Sequence, residues 1–174
     1  DLAKLRGQNE QLARDVAEVQ RKQVDAAQAL DERVRKIEPA RVTVDGMEFV
    51  VEVAEKREYD AAMAVFRKGD FAAVQTNYVD LLTRYPNTGY RPSALFWLGN
   101  AQYATRNYKE ALINFRSLVA ASPDHLRAPE ALLAIANCQT ELKELKAARK
   151  TLEDLVAKYP ASEAAAAAKD RLAR

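Results

Sequence analysis

Two side chains carry most of the reactive chemistry this sequence could offer: its one histidine, His125, and its one cysteine, Cys138. A lone imidazole cannot form a catalytic His pair or a His-rich metal site. A lone thiol rules out an intramolecular disulfide framework and a Cys-based zinc knuckle. His125 follows Pro123 and is flanked by Asp124 and Leu126. The spacing fixes no second ligand or nucleophile beside it, so it reads as an ordinary turn residue. Cys138 falls at a small-residue position of a helical stretch with nothing visible to lower its pKa, and reads as a buried structural thiol. No Gly-rich phosphate loop, nucleophile elbow or His-Glu-x-x-His helix occurs. The residues therefore imply no catalytic site, no metal and no cofactor, and point to binding.

The composition agrees. The chain has 174 residues, about one domain's worth, with 27 basic and 25 acidic residues for a net charge of +2. That balance excludes a nucleic-acid arm or an acidic tail. Five Gly and six Pro are too few for a linker-rich or many-stranded β protein, whereas 33 Ala among abundant Glu, Lys, Arg and Leu predict helices. No stretch reaches the roughly 18 apolar residues of a membrane span. The first residues, Asp1-Leu2-Ala3-Lys4, form no signal core, which leaves open a signal removed upstream.

Residues 1–38 contain no Pro and follow a heptad frame. One seam holds Leu2, Asn9, Val16, Gln23, Leu30 and Ile37; the other holds Leu5, Leu12, Val19, Ala26 and Arg33. Charges in this segment balance, with eight basic and eight acidic residues, as a solvated coiled-coil exterior should. An apolar stripe of two positions in seven is narrower than a helix uses to pack on its own globular domain, so the reading is a self-associating coiled-coil helix, roughly 57 Å long at 1.5 Å per residue. Asn9, Gln23 and Arg33 weaken the seam while fixing register and partner number. The heptads alone leave two or three chains open. Because the frame already runs at Leu2, the coil is expected to extend upstream.

Pro39 ends this helix. Val42-Thr43-Val44, then Asp45-Gly46, then Phe49-Val50-Val51 reads as a short β-hairpin or an extended linker over residues 39–55. An isolated hairpin is marginal in water, so if formed it should pack on a neighbouring chain or on the next domain.

The rest is organised by a 37-residue period. Tyr85-Pro86, Ser122-Pro123 and Tyr159-Pro160 recur at that step, as do Pro92 and Pro129. Columns of equivalent residues include Phe71, Tyr108 and Leu145; Val74, Ala111 and Ala148; Tyr78, Phe115 and Leu152; and Leu81, Leu118 and Leu155. Such a period with two helical halves marks a solenoid of helix pairs, each too thin to bury its own face. Ala62, Gly99 and Ala136 sit where paired helices must approach closely. Asp70 and Asn107 are expected to cap the second helices, with Glu144 a weaker cap. The predicted fold is all-α: a coiled-coil helix over 1–38, helix-pair repeats at about 56–88, 93–125 and 130–162, and a capping helix over 163–174.

The middle repeat resembles the tetratricopeptide repeat (TPR) through Leu95, Leu98, Gly99, Ala101, Tyr103, Tyr108, Ala111, Phe115 and Pro123. It departs at Trp97, two positions after the usual aromatic site, and in the first repeat's Ala61-Ala62. Three such units behind a coil resemble one family in particular, the YbgF/CpoB coiled-coil TPR proteins of the periplasmic Tol-Pal system. The likeness is carried by Leu5-Arg6-Gly7-Gln8-Asn9-Glu10, Val44-Asp45-Gly46, Ala94-Leu95-Phe96-Trp97-Leu98-Gly99, Ala131-Leu132-Leu133 to Cys138, and Tyr159-Pro160-Ala161-Ser162. It implies a periplasmic, homotrimeric, non-enzymatic protein. It also implies two partners, TolA and a bifunctional peptidoglycan synthase, and a role in coordinating outer-membrane constriction with septal wall synthesis.

In a TPR solenoid the first helices line the concave face. Helical spacing then predicts a partner-binding groove of Tyr59, Met63, Phe66, Phe96, Asn100, Tyr103, Leu133, Asn137 and Thr140, suited to an amphipathic or extended peptide. TPR domains that clamp a terminal carboxylate place Lys one turn before such Asn residues. Here those positions hold Phe96 and Leu133, which argues against a clamp. The solenoid's mild positive charge and the absence of a basic stripe argue against nucleic acid and membrane insertion. Two other readings stay open: a TPR subunit of an outer-membrane protein assembly machinery, and a cytoplasmic regulatory subunit of an enzyme.

Overall fold

A computed structural model describes residues 1–35 and 38–173, except for the side chain of residue 35. The seam residue Ile37 lies outside the described residues. The chain divides into two compact units, Asp1–Pro39 and Ala40–Arg174.

The first unit is one helix, α1 (Leu2–Arg35). Its heptad side chains are uncovered within the chain: Leu2, Leu5, Leu12, Val16, Val19 and Leu30 are all more than half exposed. At about 1.5 Å per residue its 34 residues span roughly 50 Å. Among the described residues no helix is long and apolar enough to cross a membrane.

The second unit opens with a two-stranded antiparallel hairpin, β1 (Ala40–Val44) and β2 (Met47–Val51), in which Val44 faces Met47 and Val42 faces Phe49. Asp45 and Gly46 take φ of 48° and 78°. These left-handed values are what a two-residue turn needs to match strand twist. The hairpin does not stand alone: Val51 is buried, and Val42, Val44 and Phe49 pack on a cluster containing Tyr59, Tyr78 and Tyr90. Phe49 meets Tyr90 edge-on at 5.0 Å and lies over Gly89, where any Cβ would collide with its ring.

Three helix pairs follow: α2 (Val53–Arg67) with α3 (Phe71–Arg84), α4 (Arg91–Ala104) with α5 (Tyr108–Ala121), and α6 (Ala128–Glu141) with α7 (Leu145–Lys158); α8 (Glu163–Leu172) closes the stack. The fold is thus a three-repeat TPR-type solenoid behind a long N-terminal helix, with the hairpin added at its start. Each pair begins two or three residues before the sequence-based boundary. In the second and third pairs this is because Pro92 and Pro129 lie inside the first helical turn, where a missing N–H costs nothing.

The repeat columns form the core. Tyr78, Phe115, Leu81, Leu118 and Leu155 are fully buried, and Leu152 nearly so. A Cβ on Gly99 would lie 2.7 Å from the Phe115 ring, so glycine there sets how closely α4 and α5 approach. The turn inside each pair uses a left-handed residue at the same column: Gly69, Arg106 and Lys143, with φ of 79°, 65° and 65°. In the second and third turns the following amide closes the helix end, Asn107 N–H donating to the Gln102 carbonyl and Glu144 N–H to that of Gln139.

Capping differs from expectation at two of three positions. Asp70 accepts from the Ala73 amide at 3.1 Å, but Asn107 and Glu144 make no side-chain cap bond. Asn107 instead donates across the repeat junction to Gln75 and locally to Thr105. In the first pair Phe71 packs on Phe66 at 5.5 Å, and in the second Tyr108 packs on Tyr103 at 5.2 Å. The third pair has Thr140 in the position of Phe66 and Tyr103, which leaves Leu145 without an aromatic neighbour and 64% exposed.

Candidate functional site

The expected groove residues all lie on the first helices of the three pairs, α2, α4 and α6, but not on equal terms. Met63, Phe66, Asn100, Tyr103, Leu133 and Asn137 are half-buried, and Thr140 is exposed. Tyr59 and Phe96 are buried and do not offer open surface. Tyr59 stacks on Tyr90 at 4.0 Å with rings nearly parallel, and meets Tyr78 edge-on at 5.9 Å. Burial, with Asp45 adding to it, pushes its hydroxyl up to about 12, while hydrogen bonding to Ser93 and Trp97 pulls the other way. Phe96 lies edge-on to Phe115 at 6.0 Å and to Trp97 at 5.2 Å.

The amides are largely engaged. Asn100 Nδ2 donates to its own helix at the Phe96 carbonyl, 2.8 Å away, and Asn137 Oδ1 accepts from Arg171 on α8. Tyr103, Asn137 and Arg171 line a cavity of about 610 Å³ walled also by Leu145, Leu152 and Leu172. Burial raises the Tyr103 hydroxyl above the ordinary range, with Glu141 contributing. It therefore stays a neutral donor and acceptor at physiological pH.

Three residues that the pattern-based reading left out complete this surface. Trp97 is half-buried and meets Phe66 at 4.9 Å, bridging the first helices of the first and second repeats. Arg127, at the N-cap of α6, lays its guanidinium 5.2 Å from the Phe96 ring centre and 5.1 Å from that of Trp97. Asp45 reaches in from the hairpin turn: Arg127 Nε donates to its Oδ1 at 2.9 Å, and Ser93 Oγ donates to its Oδ2 at 2.5 Å. The hairpin tip is thereby tied to the starts of α4 and α6. The Asp45 side chain is only 8% exposed and that of Arg127 25%, so this pair is shielded from the screening that makes surface ion pairs weak. Burial opposes the Arg127 charge, but Asp45 and Glu130 outweigh it and raise its pKa further. No sequence signal marked Arg127. The Asp45-Gly46 pair announced a turn but not where its carboxylate goes.

His125 lies beside this cluster, buried, its Nδ1 accepting from the Arg127 amide at 3.2 Å. Burial lowers its pKa below the ordinary histidine value; Asp45 opposes the shift and Arg127 reinforces it. Cys138 is fully buried, and burial pushes its thiol up to about 11. Among the described residues no three His, Cys, Asp or Glu side chains gather in a way that could hold a metal ion.

The stacked helix pairs define a TPR-type helical-repeat solenoid. Residues 103–172 match the family model described as tetratricopeptide repeat. No curated protein matches the chain. Among solved structures, PcrH from Pseudomonas aeruginosa is similar with a TM-score of 0.59 at 18% identity, covering 69% of this chain and 89% of that one. The Arabidopsis OM64 TPR domain gives 0.57 at 14% identity, covering 68% and 93%. The second TPR domain of human RPAP3, solved in complex with an HSP70 peptide, gives 0.56 at 15% identity, covering 67% and 92%. At these identities the likeness is one of fold.

Proposed function

We propose that the chain is a non-enzymatic scaffold of the YbgF/CpoB kind. It trimerises through α1, binds TolA through its solenoid, and acts in the periplasm to coordinate outer-membrane constriction with septal peptidoglycan synthesis, in company with a bifunctional peptidoglycan synthase. The observation that carries this reading is the pairing of a heptad helix, whose Leu and Val side chains find no cover within the chain, with a groove of half-buried aromatics. An exposed a/d stripe of that length is stable only when another copy covers it. A solenoid groove with Phe66, Trp97 and Tyr103 half-open offers aromatic anchors of the type that dominate binding energy. The solved PcrH structures include one with the chaperone-binding region of PopD, and that of RPAP3 holds a peptide, which supports a peptide-binding reading for a similar fold.

The test has two arms. Sedimentation of the full chain should give an oligomer, whereas residues 40–174 should sediment as a monomer; two monomers would end the scaffold reading. Capture of purified TolA should fall at least tenfold for Phe66→Ala with Tyr103→Ala, since both are half-buried and their truncation leaves the fully buried columns intact. Phe96 is not a suitable probe, because its ring is part of the core. Unchanged capture would move the binding surface away from the groove.

A further inference from the structure

We propose that Arg127 is the specificity-determining residue of the groove, and that it takes the carboxylate of an Asp or Glu side chain flanked by apolar residues in the partner segment. This rests on the groove reading above and adds the chemistry of what the groove accepts.

The guanidinium carbon lies within cation–π reach of two rings, 5.2 Å from the Phe96 centre and 5.1 Å from that of Trp97. A guanidinium carries five N–H donors in a planar fork. Nε is committed to Asp45, and one Nη1 proton to Glu130 at 3.2 Å. The other three N–H groups, one on Nη1 and both on Nη2, have no hydrogen-bond partner among the described residues and remain for a carboxylate. Glu130 is a weak competitor, an i,i+3 neighbour whose side chain is 52% exposed. Asp45 is a positioning residue: with its second oxygen anchored on Ser93, it holds the guanidinium at Nε and leaves the remaining Nη donors for a ligand. Trp97 and the adjoining Phe66, both half-buried, supply the apolar contact for the residues flanking the acid. A lysine here would bring the same charge without the planar fork of donors.

A random dodecapeptide phage library selected on the full chain, and in parallel on Arg127→Met, tests this. Selection on the wild type should enrich peptides with Asp or Glu next to apolar residues. On Arg127→Met the apolar preference should remain and the acidic one disappear. One selected peptide, synthesised with both ends blocked, and its amide counterpart (Asn for Asp or Gln for Glu) can then be titrated against Trp97 emission, the chain having one Trp. The acidic form should bind wild type about tenfold more tightly, the scale of a charge-assisted hydrogen bond, with a ratio near one on Arg127→Met. If Arg127→Met does not melt cooperatively, Arg127→Lys takes its place, keeping the charge but losing the fork, with a ratio expected below threefold. Peptides selected without acidic enrichment, or enrichment retained on Arg127→Met, would overturn the assignment while leaving the groove reading standing. No enrichment of any peptide on the wild type would end both.

Discussion

Gly99→Ala sets two effects of similar size against each other, and the structure decides the sign. Alanine in a helix interior is favoured over glycine by about 1 kcal/mol. Against that, the new methyl would lie 2.7 Å from Cε1 and Cζ of Phe115 and 3.0 Å from Cδ1. The Phe115 ring is fully buried and edge-packed on Phe96, so it has nowhere to retreat. Overpacking a tight core costs about 1–3 kcal/mol, which leaves a net loss of about 1 kcal/mol. With an unfolding entropy of about 2.1 cal/mol/K per residue over residues 40–174, that loss lowers the melting temperature by roughly 3–4 °C. Thermal and urea denaturation would read it. The diagnostic step is Phe115→Leu, which imitates the third repeat's own pairing of Ala136 with Leu152. In that background Gly99→Ala should become stabilising, with a coupling of at least about 1 kcal/mol. If Gly99→Ala raises the melting temperature equally in both backgrounds, close approach of α4 and α5 is not what holds glycine at this position.

Three further outcomes follow from the same structure. His125 has a folded-state pKa below the 6.5 of the free side chain. Its neutral form thus contributes stability that is complete above pH 6.5 and lost as pH falls from there through the folded-state value; His125→Gln should flatten that slope in a urea-midpoint series between pH 7 and 5.5, roughly. Cys138, buried with its thiol raised to about 11, should react with a thiol-alkylating reagent only at the rate of global unfolding, and fast labelling in native buffer would show that α6 opens locally. Asp45→Ala leaves the buried Ser93 hydroxyl and one edge of Arg127 without their partner, a loss of about 2 kcal/mol, and hydrogen exchange should show protection lost first at the β1–β2 amide pairs; uniform loss across the solenoid would mean that the hairpin is not held by this tie.

The linear order of residues determined the architecture because repetition is itself a linear property. The 37-residue step, the closing prolines and the small-residue column at Ala62, Gly99 and Ala136 each express a local need, helix termination or close packing, that recurs wherever the unit recurs. The seam of α1 was legible for the same reason, since a heptad is a pattern of neighbours on one helix. Membership of the groove was only half legible. Helical spacing places Met63, Phe66, Asn100, Tyr103, Leu133 and Asn137 on the first helices, where they are half-buried, but it cannot tell which positions another element covers. Burial of Tyr59 depends on Tyr90 and the hairpin, and burial of Phe96 on Phe115, none of them its neighbour on the helix face. Arg127 was invisible altogether. Its place rests on Asp45, 82 residues away in the chain, and on two rings from a different helix, and no spacing rule reaches that far. What the sequence determined was the repeat; which of its side chains stay open to a partner was decided by the stacking of one repeat on the next and by the hairpin tied across their ends.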